Sequence, residues 1–361
     1  MFKKKFGIYA MTFTMAAMGL TGCGASGSSS SSSSSSTLTE SSTQSANTAS
    51  SEPFSVVCTI FPEYDWIKEI LGDHAENVEI SYLLDNGVDL HSYQPTADDI
   101  MKISTCDLFV YVGGESDEWV EDALSEATNN DMKVINLMDV LGDSAKVEEL
   151  KEGMQEDEHE HEHEDEDEDE EEHEHEHEHE EGEEEYDEHV WLSVKNAKVL
   201  CAEIEKNIEV IDPANAADYK ANLDSYVAKL DELDGKFKTL VDASSVKTLV
   251  FGDRFPFRYF VDDYGLDYFA AFIGCSAETE ASFETIAFLA DKVTELDCKT
   301  IFTLENSSKD IANTIINTSG KSVDIAELNS LQSVSNDDIA DGASYISLMQ
   351  KNYDVLADVL K

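Results

Sequence analysis

Basic residues are scarce in this 361-residue chain: 24 Lys and Arg stand against 78 Asp and Glu, a formal net charge of -54. A surface so poor in cations cannot neutralise a phosphate backbone, which excludes nucleic acid as a partner. Cysteine is sparse as well, and none of the six is spaced Cys-x-x-Cys, which argues against a zinc site built from thiolates. Gly113-Gly114 carries no Gly-rich phosphate fingerprint, so a nucleotide site has no support. There is no His-Glu-x-x-His helix, no nucleophile elbow and no assembled triad, and the chain reads as a non-enzyme. The apolar run from Phe6 to Leu20 is short for a transmembrane span.

Against these absences stands one abundance. Of the 34 residues from Glu156 to His189, 24 are acidic and 8 are His, mostly in Glu-His alternation, with no apolar residue before Tyr186. Such a segment cannot bury enough apolar surface to offset the entropy of ordering it, so its composition predicts a disordered loop. Imidazole and carboxylate are also the groups that hold zinc, copper or nickel, and near neutral pH much of the imidazole is ready to coordinate. His159, His161, His163, His173, His175, His177 and His179 therefore form a set of weak, interchangeable accessory metal sites. A merely solubilising run would not need His at every second residue. Removing the tract's 24 acids still leaves about -30, a negative field that concentrates cations.

The N-terminus reads as an export signal over residues 1–22: Lys3, Lys4 and Lys5 precede the apolar run, which ends in Leu20-Thr-Gly-Cys23. That ending resembles the lipobox of bacterial lipoproteins, in which the signal is cut before the Cys and the thiol is acylated. The Ser-rich stretch that follows, residues 23–52, is a flexible tether. The expected location is the outer face of the cell membrane, held by lipid on Cys23 rather than by a helix. For the remaining cysteines, Cys275 with Cys298 is the candidate disulfide.

From Phe54 the pattern becomes globular. Strand-like runs at Ser55–Phe61, Val78–Leu84, Asp107–Gly114 and Lys133–Leu137 alternate with helical periodicity at Pro62–Leu71, after Thr96 and from Trp119, the mark of parallel βα units. After the tract come an amphipathic helix, Ser193–Val210, and a longer one with Pro213 in its first turn and apolar residues from Tyr219 to Leu240 at steps of three, four and seven. A second βα series follows, with strands at Thr248–Phe251, Tyr268–Ile273, Thr300–Leu304 and Ser322–Ala326 and a final helix from Tyr345 to Leu360. The fold class is α/β: two βα lobes with parallel sheets joined by one long helix, with a metal cleft between the lobes. The expected divisions are an N-terminal lobe at 53–210 containing the loop 153–186, the linking helix at 211–242 and a C-terminal lobe at 243–361.

Three His lie outside the repeat. His74, on a polar turn, reads as solvent-facing, whereas His91 and His189 sit in loops between strand ends and helix starts, where open α/β sheets place ligand sites. Together, one on each side of a His-rich loop, they point to metal binding.

The segments Asp89-Leu-His91-Ser-Tyr-Gln-Pro-Thr and Asp187-Glu-His189-Val-Trp-Leu-Ser resemble the paired His motifs of the zinc and manganese substrate-binding lipoproteins of bacterial ABC importers. Tyr64-Asp-Trp66, Phe257 to Leu266, Glu278 to Ser282 and Glu305-Asn-Ser307 fit in the same order. The acidic His loop before the second ligand His marks the zinc branch. The resemblance implies a monomeric receptor that captures Zn2+ as cargo and delivers it to an ABC permease and its ATPase; the alternatives are a manganese or other divalent-metal receptor, or a surface buffer or adhesin uncoupled from transport. Two positions depart from the family. Arg254 stands where a third ligand is expected and Gln332 where an acidic fourth is expected, and a guanidinium has no lone pair to offer a metal. Asp253 and Glu63 are the substitutes chosen here, with Glu278 and Glu280 as further candidates.

Overall fold

The computed structural model describes residues 53–155, 185–276 and 280–361. The export signal, the tether, Cys23, the seven accessory His and Glu278 lie outside the described residues. The first half is built on β1 (Ser55–Cys58), α1 (Phe61–Leu71), β2 (Glu79–Tyr82), α2 (Ala97–Thr105), β3 (Leu108–Tyr111), α3 (Trp119–Ser125), β4 (Lys133–Asn136) and a short α4 (Leu137–Leu141). All four strands pair in parallel in the order β2-β1-β3-β4. Parallel strands need covering on both faces, which is why β1 and β3 read as nearly continuous apolar runs with Val56, Val57, Cys58, Leu108, Phe109 and Val110 all buried. Helix α2 starts where Thr96 and Asp99 cap one another's backbone, as the Thr-x-x-Asp pattern predicts.

Helix α5 (Val194–Ile211) leads to α6 (Ala216–Ala243), whose 28 residues span about 42 Å. Its buried residues, Tyr219, Leu223, Tyr226, Leu230, Leu233, Phe237 and Val241, recur at three and four and form one stripe. The stripe packs on α1 and α5 and, further along, on α7 and α11, so one helix is shared by both βα series. Pro213 lies outside it. Asp212 instead closes a turn, accepting from Asn215 Nδ2 at 2.8 Å and from the Tyr219 hydroxyl at 2.6 Å, and the helix begins after Asn215.

The second series runs β5 (Thr248–Val250), β6 (Arg254–Phe255), α7 (Arg258–Tyr264), β7 (Asp267–Phe269), β8 (Phe272–Ile273), α8 (Phe283–Glu295), β9 (Thr300–Leu304), α9 (Asp310–Ser319), β10 (Asp324–Leu328), α10 (Asn336–Ala340) and α11 (Tyr345–Val359). Its strands also pair in parallel, β5 with β7, β6 with β8 and β9 with β10, and a Phe251–Phe302 bridge continues the first pairing towards the last. The single strand expected at 268–273 is two, because Ala270 and Ala271 form a step that shifts the pairing from β5 to β6. Pro256 holds Phe255 extended, which ends β6 and delays α7 to Arg258.

Trp191 stitches this frame to the site. Its indole N–H donates to Ser330 O at 2.8 Å, the Tyr345 hydroxyl donates to Trp191 O at 2.8 Å, and the Tyr345 ring meets Trp66 edge-on. His74 is not simply solvent-facing: it pairs with Asp218 at 3.0 Å and rests edge-on against Tyr219, tying the turn after α1 to α6. Phe237 of α6 is fully buried among Phe260, Tyr264 and Tyr353. Phe237→Ala is expected to cost about 3–5 kcal/mol in urea or guanidinium unfolding, the usual range for a buried Phe truncation; a loss under about 1 kcal/mol would show that this stretch of α6 does not anchor the fold.

Candidate metal centre

Two copies of one local device hold the two His. Asp89 caps a one-turn helix at Leu90–Ser92; its Oδ1 accepts from the His91 backbone N–H at 3.1 Å and lies 2.7 Å from His91 Nδ1. Asp187 Oδ1 makes the same two contacts to His189, at 2.9 Å to the backbone nitrogen and 3.1 Å to Nδ1, and the one-turn helix Val190–Leu192 follows directly. Buried Leu90 on one side and Trp191 on the other fix these turns in the core. A carboxylate on Nδ1 places the ring proton there and leaves the Nε2 lone pair free. The two rings lie 5.2 Å apart, and both Nε2 atoms are buried without a hydrogen-bond partner. Burial pushes the His189 pKa down against the pull of Asp187, so that ring is neutral at physiological pH and its lone pair is available.

The cleft holds more than was legible in the sequence. Cys275, just after β8, offers its sulfur beside the two rings: one donor atom from each of His91, His189 and Cys275 lies within 4.8 Å of the others. Cys275 and Cys298 are both free, so the disulfide expected between them is absent. Gly274 lets the chain pass this close, since a Cβ there would sit 3.0 Å from the His189 ring and 2.9 Å from Phe255 O. Glu188 is the second addition. Its Oε1 accepts from Ser116 N at 2.8 Å, while its buried Oε2 has no hydrogen-bond partner and lies 3.7 Å from His91 Nε2. Gly114 makes room for it, because a Cβ there would collide with the Glu188 carboxylate. A cavity of about 300 Å³ opens over His91, Cys275 and Glu188 and is rimmed by Glu115, Glu118, Glu148 and Glu185.

The stem of the acidic tract ends at this cavity. Val147 and Tyr186 pair antiparallel, Glu148 N–H donates to Glu185 O at 2.9 Å, and Asp187 N–H donates to Lys146 O at 2.8 Å. This short ladder fixes the chain on both sides of residues 156–184.

The acids and the cation named from sequence have other work. The Arg254 guanidinium pairs with Asp89 Oδ2, so it reaches the site only through the carboxylate that orients His91. Burial works against the charge on Asp89, but His91 and Arg254 outweigh it and hold the carboxyl well below its usual range. Asp253 lines a cavity with His91 and Arg254, yet its oxygens accept from the backbone N–H groups of Arg254 at 3.0 Å and Leu304 at 3.1 Å. Glu63 is fully buried at the start of α1, where Oε2 accepts from the backbone of Thr59 and Ile60 and from the Thr59 hydroxyl. Helix starts leave such N–H groups without partners, and an acid in the first turn is drawn to them. Neither carboxylate belongs to the donor group around His91 and His189. Glu280 is exposed, and Gln332 is fully buried with both amide atoms unpaired.

Paired Asp-x-His turns facing one another across a mixed α/β fold decide what the chain is related to. Residues 56–359 match the family model of the periplasmic zinc-uptake complex component A, ZnuA. The chain belongs to this family. It is 31% identical over 320 residues to the high-affinity zinc uptake system protein ZnuA of Bacillus subtilis, covering 89% of this chain and 92% of that protein. It is 32% identical over 302 residues to the zinc-binding lipoprotein AdcA of Streptococcus pneumoniae, covering 84% of this chain but only 55% of AdcA, so it spans about half the length of that relative. The solved Zn(II)-bound ZnuA-like domain of the same AdcA superposes with a TM-score of 0.63 at 27% identity, over 85% of this chain and 99% of the domain. Within the ZnuA family frame, Cys275 and Glu188 are what reading the sequence missed. Glu188 sits inside the motif that was recognised, so adjacency to His189 was the available signal; Cys275 had none short of the fold.

Burial raises the Glu63 carboxyl from an ordinary 4.5 to about 8, against the pull of the Ile60 and Thr59 N–H groups. The folded chain therefore keeps a proton that the unfolded chain releases near pH 4.5. The stability from this proton is complete below that value and is lost as pH rises through about 8. Between pH 6 and 9 the loss is expected to be about 2–3 kcal/mol, and Glu63→Gln should remove that component from the pH dependence of denaturant unfolding. Identical slopes in the two proteins would show that Glu63 is ionised in the folded state.

Proposed function

We propose that this protein is an extracytoplasmic zinc receptor that captures Zn2+ in the cleft and delivers it to an ABC permease driven by a cytoplasmic ATPase. It works as a single chain held at the cell membrane by lipid on Cys23. The observation that carries this reading is the pair of buried, unpaired Nε2 atoms, each presented by an Asp-locked ring, in a chain of the ZnuA family. Two imidazole ligands at the centre favour zinc over manganese, which prefers carboxylate, carbonyl and water. The relatives named as zinc-binding or zinc-uptake proteins support the same cargo. An acidic rim supports capture, since a negative mouth raises the local concentration of cations.

His91→Ala and His189→Ala should each weaken zinc binding at the tightest site by about a hundredfold, since one ligand in four carries roughly a quarter of the binding free energy of a full ligand set. Competition titration against a chromogenic chelator reads this directly, and an unchanged tightest constant in both variants would move the site elsewhere.

The tract acts as an accessory supply, because its stem ends in Glu185 on the cavity rim. Zinc caught by its many weak ligands stays at high effective concentration beside the cleft. Deleting residues 156–184 should leave one tight site in calorimetry, remove the weaker ones and slow uptake at limiting zinc. Unaltered stoichiometry and unaltered uptake together would rule out the accessory role.

A further inference from the structure

We propose that the thiolate of Cys275 is the third metal ligand, so that the cation is held by His91 Nε2, His189 Nε2 and Cys275 Sγ. The proposal rests on the receptor reading above and names the ligand set of that site.

Three observations converge. A tetrahedral zinc with Zn–N near 2.0–2.1 Å and Zn–S near 2.3 Å sets its ligand atoms about 3.4–3.7 Å apart, and the three donors already lie within 4.8 Å of one another. An arriving ion has to draw them in by roughly 1 Å. The two Nε2 atoms are buried and unpaired, a condition that costs about 1–3 kcal/mol per group and that coordination relieves. Cys275 is also reachable and fixed: it lines the same cavity as His91, its backbone N–H donates to Glu148 Oε1 at 3.1 Å, and the chain before it is wedged against the His189 ring at Gly274.

Charge points the same way. Imidazole ligands bring no charge to the ion, and the charge of Arg254 is balanced by its pair with Asp89. A thiolate supplies the missing negative charge, and the unpaired Glu188 Oε2, 3.7 Å from His91 Nε2, is the carboxylate at hand for the fourth position. On binding, the thiol gives up its proton to solvent as the metal–sulfur bond forms, so one proton leaves for each cation bound through this ligand. A sulfur donor selects for zinc and other thiophilic ions over manganese.

The test is cobalt substitution of the full chain, with Cys275→Ser and Cys275→Ala alongside His91→Ala. Thiolate ligation to Co2+ gives an intense near-ultraviolet charge-transfer band that the nitrogen and oxygen ligands of the tract cannot produce. The expected result is this band in the wild type, displaced by one equivalent of zinc, and absent from both Cys275 variants. Those variants should also bind zinc about a hundredfold more weakly and show a narrower preference for zinc over manganese. As a check that needs no variant, zinc should slow alkylation of Cys275 by iodoacetamide, read by mass spectrometry. A wild-type cobalt complex without the band, or alkylation of Cys275 unaffected by zinc, overturns the proposal. If His91→Ala abolishes tight binding while Cys275→Ser leaves it unchanged, only the sulfur ligand fails; if His91→Ala also leaves it unchanged, the receptor reading fails with it.

Discussion

The Asp-x-His turn is the constraint on which the site depends. A histidine two residues after an aspartate has its backbone and its ring held by the same carboxylate oxygen. That single oxygen fixes rotamer, tautomer and position together, and it leaves Nε2 pointing away with its lone pair free. The device appears on both loops, and the fold needs only to bring the two loops face to face. Neighbouring groups make the arrangement tolerable: Asp89 is stabilised as an anion by His91 and Arg254, and Asp187 is hydrogen-bonded to the ring and the backbone N–H of His189. Arg254 thus belongs to the orientation of His91, which gives a physical reason for a cation to sit so close to a cation-binding cleft.

The face-to-face placement comes from the long helix and from Trp191. Helix α6 carries one apolar stripe that both βα series share, so the two halves are packed on a common rod. Trp191 follows His189 by two residues and is bonded to Ser330 and Tyr345. The second His is therefore set by contacts more than a hundred residues away in sequence. A change in how α11 packs would be felt at His189 through the Tyr345 hydroxyl, although no residue of α11 is a ligand.

What could be read in advance follows from how local each feature is. Strand and helix alternation, the Thr96 cap and the stripe of α6 are written within a few residues of where they act, and so are the two Asp-x-His motifs. The acids are less legible for a related reason: Glu63 and Asp253 lie next to strand ends and helix starts, where backbone N–H donors are the nearest partners, and their oxygens accept from those groups. The break at Ala270-Ala271 has no local mark, since an apolar run reads the same whether it pairs with one neighbour or two. Cys275 depends on that break, because the step from β7 to β8 is what brings Gly274 and Cys275 up against His189.

The acidity of the chain works at two levels that oppose one another. Outside, the rim acids and the large net charge attract cations over distances of about a Debye length, roughly 8–10 Å in ordinary salt. Inside, burial raises two acids to about 7: Glu148 on the cavity rim, and Asp117, which accepts from the Gly113 N–H at 2.9 Å; each is further raised by a neighbouring carboxylate, Asp187 for the first and Glu188 for the second. Raised towards neutrality, these two acids ease the repulsion among carboxyls that share a small volume. A divalent cation at the His pair favours their ionised forms, so its arrival strengthens the very field that holds it. Raised pKa values on these buried acids lessen the charge the cleft has to carry, which reconciles an acidic site with a stable fold.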